Sequence, residues 1–277
     1  MANVEDSGMD VNVSGAVDNV MDLSGIAAEV TAAVQDSALL SKYAGVAVPA
    51  LGTLDLQAKL ASSGDTYRID DLTLRLDGDA AAAQISGNIA DLLALTSVAE
   101  NPSGYGEAGI DADLTLQTSS LSILLQKAAG LEVEELGSLD LKAHLGSTAE
   151  SISLDPVQAS LTNEGLQTTA EVVLEDLLGL SGLKAEIRGD LDSLSTLSRL
   201  AGTELPQTGP WSFRIQADSS AEAPEALTFS SELDGEGIAA TINTQVNVLK
   251  TFQTFQTDLQ LSVDSIVRTA SLFDYEV

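Results

Sequence analysis

The side chains that could do chemistry are few, and their spacing does not suit catalysis. His144 is the single histidine among 277 residues, and the chain has no cysteine. The histidine occupies a polar position of the alternating segment LDLKAHL, and no neighbour in sequence would orient it as a general base. We therefore expect a solvent-facing imidazole and predict that the protein is not an enzyme and uses no cofactor.

Paired aspartates are the candidate metal ligands. Asp-x-Asp pairs occur at Asp111 with Asp113 and at Asp190 with Asp192, and DGD spans residues 77–79. A calcium site needs about six to eight oxygen ligands, and the chain has no EF-hand loop to supply them. Zinc-ligand spacings, glycine-rich phosphate loops and nucleophile elbows are also missing from the sequence. We expect no metal site.

The charge balance excludes one broad class of partner. The net charge of −30 comes from 42 acidic and 12 basic residues. Nucleic acids and anionic lipid head groups are both bound through clustered lysine and arginine, so neither is an expected partner. A strongly solvated surface accounts for the acidity, as would a salt-adapted proteome.

The elements that must position any site are alternating strands. In six segments of the sequence, apolar and polar residues alternate strictly, which gives a strand one apolar and one polar face. Strands of this type form antiparallel sheets that are solvated on one side. The segments are TLDLQAKL from residue 53, LTLRL from 72, LDLKAHL from 139, LKAEIRGDL from 183, WSFRIQA from 211 and LQLSV from 259.

Short helices are predicted between the strands. In SLSILLQKAAG, Ser120 or Ser122 is the expected N-cap and Gly130 the stop. In DSLSTLSRLAG, Asp192 or Ser193 should cap a helix of two or three turns that ends before Gly202. Helices this short are marginal alone and must dock through their leucines.

The order of these elements recurs along the chain. The dipeptide AG ends at Gly45, Gly130 and Gly202, 85 and then 72 residues apart (130 − 45 and 202 − 130), and a glycine-containing break then opens a strand. The same AG dipeptide and glycine-containing break recur in the same order at irregular spacing. This pattern indicates one supersecondary unit that is repeated with loops of different length. We predict a single repetitive segment, with units at approximately 11–82, 83–165, 166–234 and a truncated 235–277.

A sheet with one apolar face must either cover that face with other parts of the protein or bind an apolar ligand on it. The expected fold is mainly β: an elongated antiparallel sheet curled into an open groove, with short helices between the repeat units. Its lining is aliphatic and almost without converging polar groups, which favours hydrocarbon chains over one specific small ligand. The expected lining residues are Leu54, Leu56, Leu72, Leu74, Leu139, Leu141, Leu183, Ile187, Phe213, Ile215, Leu259 and Leu261.

The recurring pattern resembles the C-terminal repeats of the AsmA family. The resemblance is carried by residues 194–215 with 233–242, by 39–60 with 72–89, and by 121–145. No single position is diagnostic, and the likeness rests on recurrence. Members of that family are bacterial relatives of bridge-like lipid transfer proteins, which hold a β-groove across the periplasm. The family has no catalytic residues to carry over.

The resemblance implies a location and partners. It implies a periplasmic segment that binds phospholipid acyl chains, supports outer-membrane biogenesis and integrity, and works with inner- and outer-membrane components through a larger parent protein. Family members are tethered to the inner membrane by an N-terminal helix. No such helix occurs in this sequence, so we expect it to be a segment excised from a longer protein.

Two non-enzymatic alternatives use the same strands. One is an interaction scaffold whose apolar faces close into an ordinary β-sandwich core without ligand. The other is an acidic surface adhesin repeat, for which calcium-dependent stability is expected. Periodicity alone leaves open whether protein or lipid fills the apolar face.

Overall fold

A computed structural model describes residues 2–6, 8–19, 24–64, 66–97, 108–147, 151–177, 181–198, 203–219, 226–247 and 254–265. The chain divides into two compact units. The first unit comprises residues 1–135 and 139–155, and the second comprises residues 136–138 and 156–277.

The described residues are mainly β-strand, and the predicted fold class is confirmed at that level. Within each unit, strands that follow one another in the chain pair antiparallel. Among the described residues, β1 in the first unit pairs with β2 alone and β15 in the second unit pairs with β14 alone, so the described strands of each unit form an open sheet. The strands are β1 (Ala2–Asp6), β2 (Met9–Asn19), β3 (Ser24–Val34), β4 (Thr53–Ser63), β5 (Thr66–Asp77), β6 (Ala82–Ile89), β7 (Ile110–Thr118), β8 (Ser138–Ser147), β9 (Ile152–Asn163), β10 (Leu166–Asp176), β11 (Ser181–Leu191), β12 (Trp211–Ser219), β13 (Ala226–Gly235), β14 (Ile238–Asn247) and β15 (Thr254–Val263).

The helices are short and lie between strands. They are the α-helices α1 (Ser41–Ala44), α2 (Leu92–Ser97) and α3 (Leu121–Ala129), and the 3₁₀ helices η1 (Ser37–Leu40) and η2 (Leu194–Leu197). Of the two candidate caps of α3, Ser120 is the one used: its Oγ accepts a hydrogen bond from the Ile123 amide at 3.2 Å. Gly130 ends α3 with φ of 67°, a left-handed conformation that glycine adopts without strain, as predicted.

The helix predicted after residue 193 is described only in part. Ser193 is its N-cap, and its Oγ accepts from the Ser195 amide at 3.3 Å. The described part is the 3₁₀ turn η2 followed by the helical residue Ser198, and the predicted length stays a prediction. The predicted stop at Gly202 lies outside the described residues.

The same serine hydrogen bonds recur at the spacing of the sequence repeat. Ser37 Oγ donates to the Pro49 carbonyl and Ser122 Oγ donates to the Glu134 carbonyl, both at 2.6 Å. Donors and acceptors are each 85 residues apart (122 − 37 and 134 − 49), which equals the spacing between the first two AG dipeptides. The buried serine ties each helical insert to the segment that leads into the next strand.

Candidate functional site: an aliphatic strip on the sheet

The apolar side chains of neighbouring strands align into a continuous row in the first unit. We call the sheet face that carries Leu56 and Leu74 the apolar face, and the face that carries Asp55 and Arg75 the polar face. Residues of the row oppose one another strand by strand from β2 to β8. This row, the first central strip, consists of Val11, Ala32, Leu56, Leu74, Ile85, Leu114 and Ala143.

The side chains of the first central strip are only partly covered by the rest of the protein. Only Ala143 among its side chains is buried, and the larger ones are half-buried. In a β-sandwich, facing side chains from a second sheet interdigitate and bury such central positions. The exposure of the large leucines therefore favours an uncovered face over a closed core.

A second row with the same properties crosses the second unit. The register of β10 to β15 places its members opposite one another, and none of them is buried. Exposure rises towards the last strand, where Leu259 is 67% exposed. This second central strip consists of Ala170, Ile187, Ile215, Ser231, Ile242 and Leu259.

Buried residues bound the second central strip on both sides. At the end of the strands next to η2, Leu191 and Trp211 are buried in one cluster, with Leu194 and Leu197 of η2 packed against it. The margin at the opposite strand ends contains the buried Leu174, Leu227 and Val246. The second central strip is thus a more solvent-exposed band between two buried margins. It runs across the strands, not along them.

The register brings most of the predicted lining residues to these strips or to the row beside them. Leu56, Leu74, Ile187, Ile215 and Leu259 belong to the central strips themselves. Adjacent rows contain Leu54, Leu72, Leu141, Phe213 and Leu261. Leu139, opposite Thr118, and Leu183, opposite Leu174, lie at the margins instead.

Several strip residues were not anticipated from the sequence. Ile85 and Leu114 continue the first strip through β6 and β7, and Ile242 continues the second through β14. Their signal was present as alternation, in DADLTLQT for example. Hydroxyl groups also interrupt the apolar face of the second unit: Thr244 Oγ1 lies 3.1 Å from Thr257 Oγ1.

Two aromatic side chains of β12 shape the second unit. The rings of Phe213 and Trp211 occupy the space that a Cβ would take at Gly189 and Gly235 on the flanking strands. Trp211 Nε1 donates to the Thr208 carbonyl at 3.0 Å, so its polar edge is satisfied although the ring is buried. Each glycine leaves room for the neighbouring aromatic ring, and the buried Trp211 forms part of one margin of the strip.

The polar face carries exposed ion pairs. Glu186 holds two arginines, with Arg188 Nη2 at 2.7 Å and Arg214 Nε at 3.0 Å. Lys59 Nζ lies 2.7 Å from Asp71 Oδ2, and this hydrogen bond raises the pKa of the lysine above its ordinary value. Such a pair is fully formed below the ordinary lysine pKa and is lost as pH rises through the raised pKa. Because both side chains are solvated, the pair contributes little to folding.

His144 lies on this polar face, as predicted, but it has carboxylate neighbours. Its Nδ1 is 3.0 Å from Asp113 Oδ1 and its Nε2 is 3.9 Å from Asp111 Oδ1. Asp190 and Asp192 are exposed. Within the described ranges, no group of three or more histidine, cysteine or acidic side chains is placed to hold a metal ion.

Two further observations bear on the interpretation of the central strips. In the part of the chain that the structure describes, no helix is long and apolar enough to cross a bilayer. No known protein family, curated protein or solved structure matches the chain. The site is therefore interpreted from its own residues, and the likeness to AsmA repeats stays a prediction.

Proposed function

We propose that this chain is a lipid-binding segment whose two central strips hold hydrocarbon chains. The observation that carries the proposal is a band of mainly aliphatic, partly exposed side chains that crosses each sheet and that lies between buried margins in the second unit. Contiguous apolar surface left open to water is a mark of a binding surface. The proposed role is non-catalytic.

The dimensions of the strips suit acyl chains. Adjacent strands lie about 4.8 Å apart, so the seven-residue first strip extends over about 29 Å and the six-residue second strip over about 24 Å. One acyl chain occupies about half of the roughly 30 Å hydrocarbon core of a bilayer. Each strip therefore exceeds the length of one chain lying across the strands.

The chemistry of the strips favours exchange over tight retention. Burial of a methylene group contributes about 0.8 kcal/mol, and a chain that rests on one open face buries about half of its surface. A chain of about fourteen methylenes then gains about 6 kcal/mol, which the loss of translational and rotational freedom, about 4–15 kcal/mol, largely offsets. Similar aliphatic groups recur at each strand, so the chain can shift along a strip without breaking a specific contact.

The finer parts of the proposal rest on the resemblance to AsmA repeats. They are a periplasmic location, phospholipid as the cargo, tethering to the inner membrane through a parent protein, and support of outer-membrane biogenesis and integrity. The acidic polar face fits such a role because it repels anionic head groups, which leaves the aliphatic strips as the lipid-binding surface.

Lipid analysis of the purified chain tests the proposal. The protein is purified without detergent, extracted with organic solvent, and the extract is quantified by mass spectrometry. We expect two-chain lipids in roughly molar proportion to protein, and rebinding of a fluorescent phospholipid after delipidation. A lipid-free preparation that also fails to rebind the probe would contradict the proposal.

A further inference from the structure

A cavity on the polar face of the first unit is not part of the proposed lipid site. It lies over β2 to β5 and has a volume of about 420 Å³, within the range of about 300–1,000 Å³ that small-molecule sites occupy. We call it the polar basin. The side chains that define it are Asp10, Asn12, Ala33, Asp55, Gln57 and Arg75.

The register of the sheet explains why a cavity forms at this point. Ala33 opposes Asp10 on one side and Asp55 on the other. Neighbouring strands lie about 4.8 Å apart, so the backbone atoms of the two aspartates are about 10 Å apart. The small side chain of Ala33 leaves the space between the two carboxylates open to a ligand.

The charged groups that face the polar basin do not pair with one another. Within the described residues, the carboxylates of Asp10 and Asp55 form no hydrogen bond or ion pair, although Asp55 lies directly opposite Arg75. Arg75 instead donates from Nε to Gln84 Oε1 at 3.2 Å. Two carboxylates and most of the guanidinium donors are therefore available to a ligand.

The wall of the polar basin contains an acceptor that the protein does not satisfy. Asn12 Oδ1 is buried and has no hydrogen-bond partner among the described residues. A buried acceptor without a donor is unfavourable. Asn12 as a whole is only half-buried, so a half-turn of its amide directs Oδ1 into the basin, where a donor of the ligand satisfies it.

A second polar cavity adjoins the basin and extends the site across the sheet. It lies over β5 to β8, has a volume of about 410 Å³ and shares Arg75 with the polar basin. Asp140 and Lys142 give this cavity one acidic and one basic side chain, and neither has an ion-pair partner within the described residues. From β2 to β8 the strands span about 29 Å, which is long enough for an extended ligand.

The mixture of groups favours hydroxyl-rich ligands. A hydroxyl group both donates and accepts hydrogen bonds, so a polyhydroxylated chain satisfies carboxylates, amides and a guanidinium together. An anion is repelled by Asp10 and Asp55, and a simple cation leaves Arg75 and Lys142 without acceptors. A zwitterion as small as an amino acid fills only part of one cavity. An oligosaccharide without net charge therefore matches both the charges and the extent of the site.

We propose that the polar basin and the adjoining cavity bind a neutral oligosaccharide that lies across β2 to β8. Asp10 and Asp55 accept hydrogen bonds from its hydroxyl groups, and Arg75 donates to its oxygens. The described residues around the basin include no aromatic side chain, so stacking contributes nothing and we expect weak binding in fast exchange. The site lies on the opposite face from the central strips, so it does not depend on the proposed lipid binding.

Nuclear magnetic resonance of the nitrogen-15-labelled chain tests the site directly. The chain is titrated separately with four neutral trisaccharides: maltotriose, cellotriose, mannotriose and triacetylchitotriose. We expect at least one of them to shift the side-chain amide signals of Asn12 and Gln57 in a saturable manner. The side-chain amide signal of Gln216, which is exposed on the polar face of the second unit, should not move.

Two variants remove the site in different ways. The double change Asp10→Asn with Asp55→Asn keeps the shape of the basin and should weaken binding roughly tenfold, because hydrogen bonds to charged acceptors are the stronger ones. Ala33→Ile fills the space between the aspartates and should weaken binding to a similar extent without a change in charge. The control Glu171→Gln with Asp218→Asn makes the same charge change on exposed residues of the second unit and should bind like wild type.

The backbone amide spectrum of each variant shows whether it is folded. The proposal is overturned if no trisaccharide shifts the Asn12 and Gln57 signals, or if the folded Ala33→Ile variant or the folded double aspartate variant binds like wild type. It is also overturned if glycine or calcium chloride produces saturable shifts that the trisaccharides do not, which would assign the basin to a zwitterion or a cation. Lipid uptake is measured on the same samples and decides the lipid proposal independently.

Discussion

Leu191→Ala is expected to lower the free energy of unfolding of the second unit by about 3–5 kcal/mol. Leu191 is 2% exposed and lies in one cluster with Leu166, Trp211 and Ile238, so its truncation leaves a cavity that η2 and the sheet cannot refill. Trp211 is the single tryptophan of the chain and pairs with Leu191 across β11 and β12, so its fluorescence during urea denaturation reports the loss directly.

The same measurement on the central strip should give a much smaller loss. Ile215 also lies in the second unit, and Ile215→Ala removes three carbon atoms, as Leu191→Ala does. The Ile215 side chain, however, is only half-buried. Ile215→Ala should therefore lower the free energy of unfolding by about 1–2 kcal/mol, in proportion to the apolar area that the Ile215 side chain buries. Equal losses for Ile215→Ala and Leu191→Ala would mean that the central strip is packed as tightly as the margin.

Polar substitution of the strips is expected to weaken lipid binding strongly while the chain stays folded. Leu141→Gln beside the first strip and Ile187→Gln within the second each replace an aliphatic contact with an amide that an acyl chain cannot satisfy. Together they should weaken binding of a fluorescent phospholipid tenfold or more, since about 1.4 kcal/mol corresponds to a tenfold change. The circular dichroism spectrum should keep its β character because both side chains are only half-buried.

The matched control places the same amides on the opposite face of the same strands. Lys142 and Arg188 are the neighbours of Leu141 and Ile187 in sequence, and both are exposed on the polar face. Lys142→Gln with Arg188→Gln should leave lipid uptake unchanged. If the strip variant unfolds while the control stays folded, the strip is a packed core and the scaffold alternative gains support.

Sequence reasoning succeeded where alternation alone decides the structure. The strands that contain Leu56, Leu141, Ile187 and Phe213 follow from period-two patterns, and each forms with its apolar residues on one face. The irregularity in β5 was not predicted, although the apolar spacing does change by one residue between Ile69 and Leu72. The structure shifts register at this point, next to Asp71 with φ of 52°.

The strips themselves could not be derived from the sequence. Alternation gives each strand an apolar face, but only the register decides that Leu56 opposes Leu74 and that Leu74 opposes Ile85. Registry depends on loop lengths and on the bulge, which the pattern of one strand does not contain. Burial is equally non-local: Leu191 and Ile187 share one face of β11, yet only Leu191 is buried. The sequence therefore predicted which residues face the apolar side of each strand, but not which of them form one row across the sheet.

The most direct measurement is photo-crosslinking with a phospholipid that carries a photoreactive group on its acyl chain. After illumination of the folded protein, peptide mass spectrometry maps the labelled residues. The account predicts labels on the central strips, at Leu56, Leu74, Ile187 and Ile215, and their loss when unlabelled phospholipid competes. Labels confined to polar-face residues, or an absence of competable labelling, would contradict the claim that an open aliphatic strip binds hydrocarbon chains.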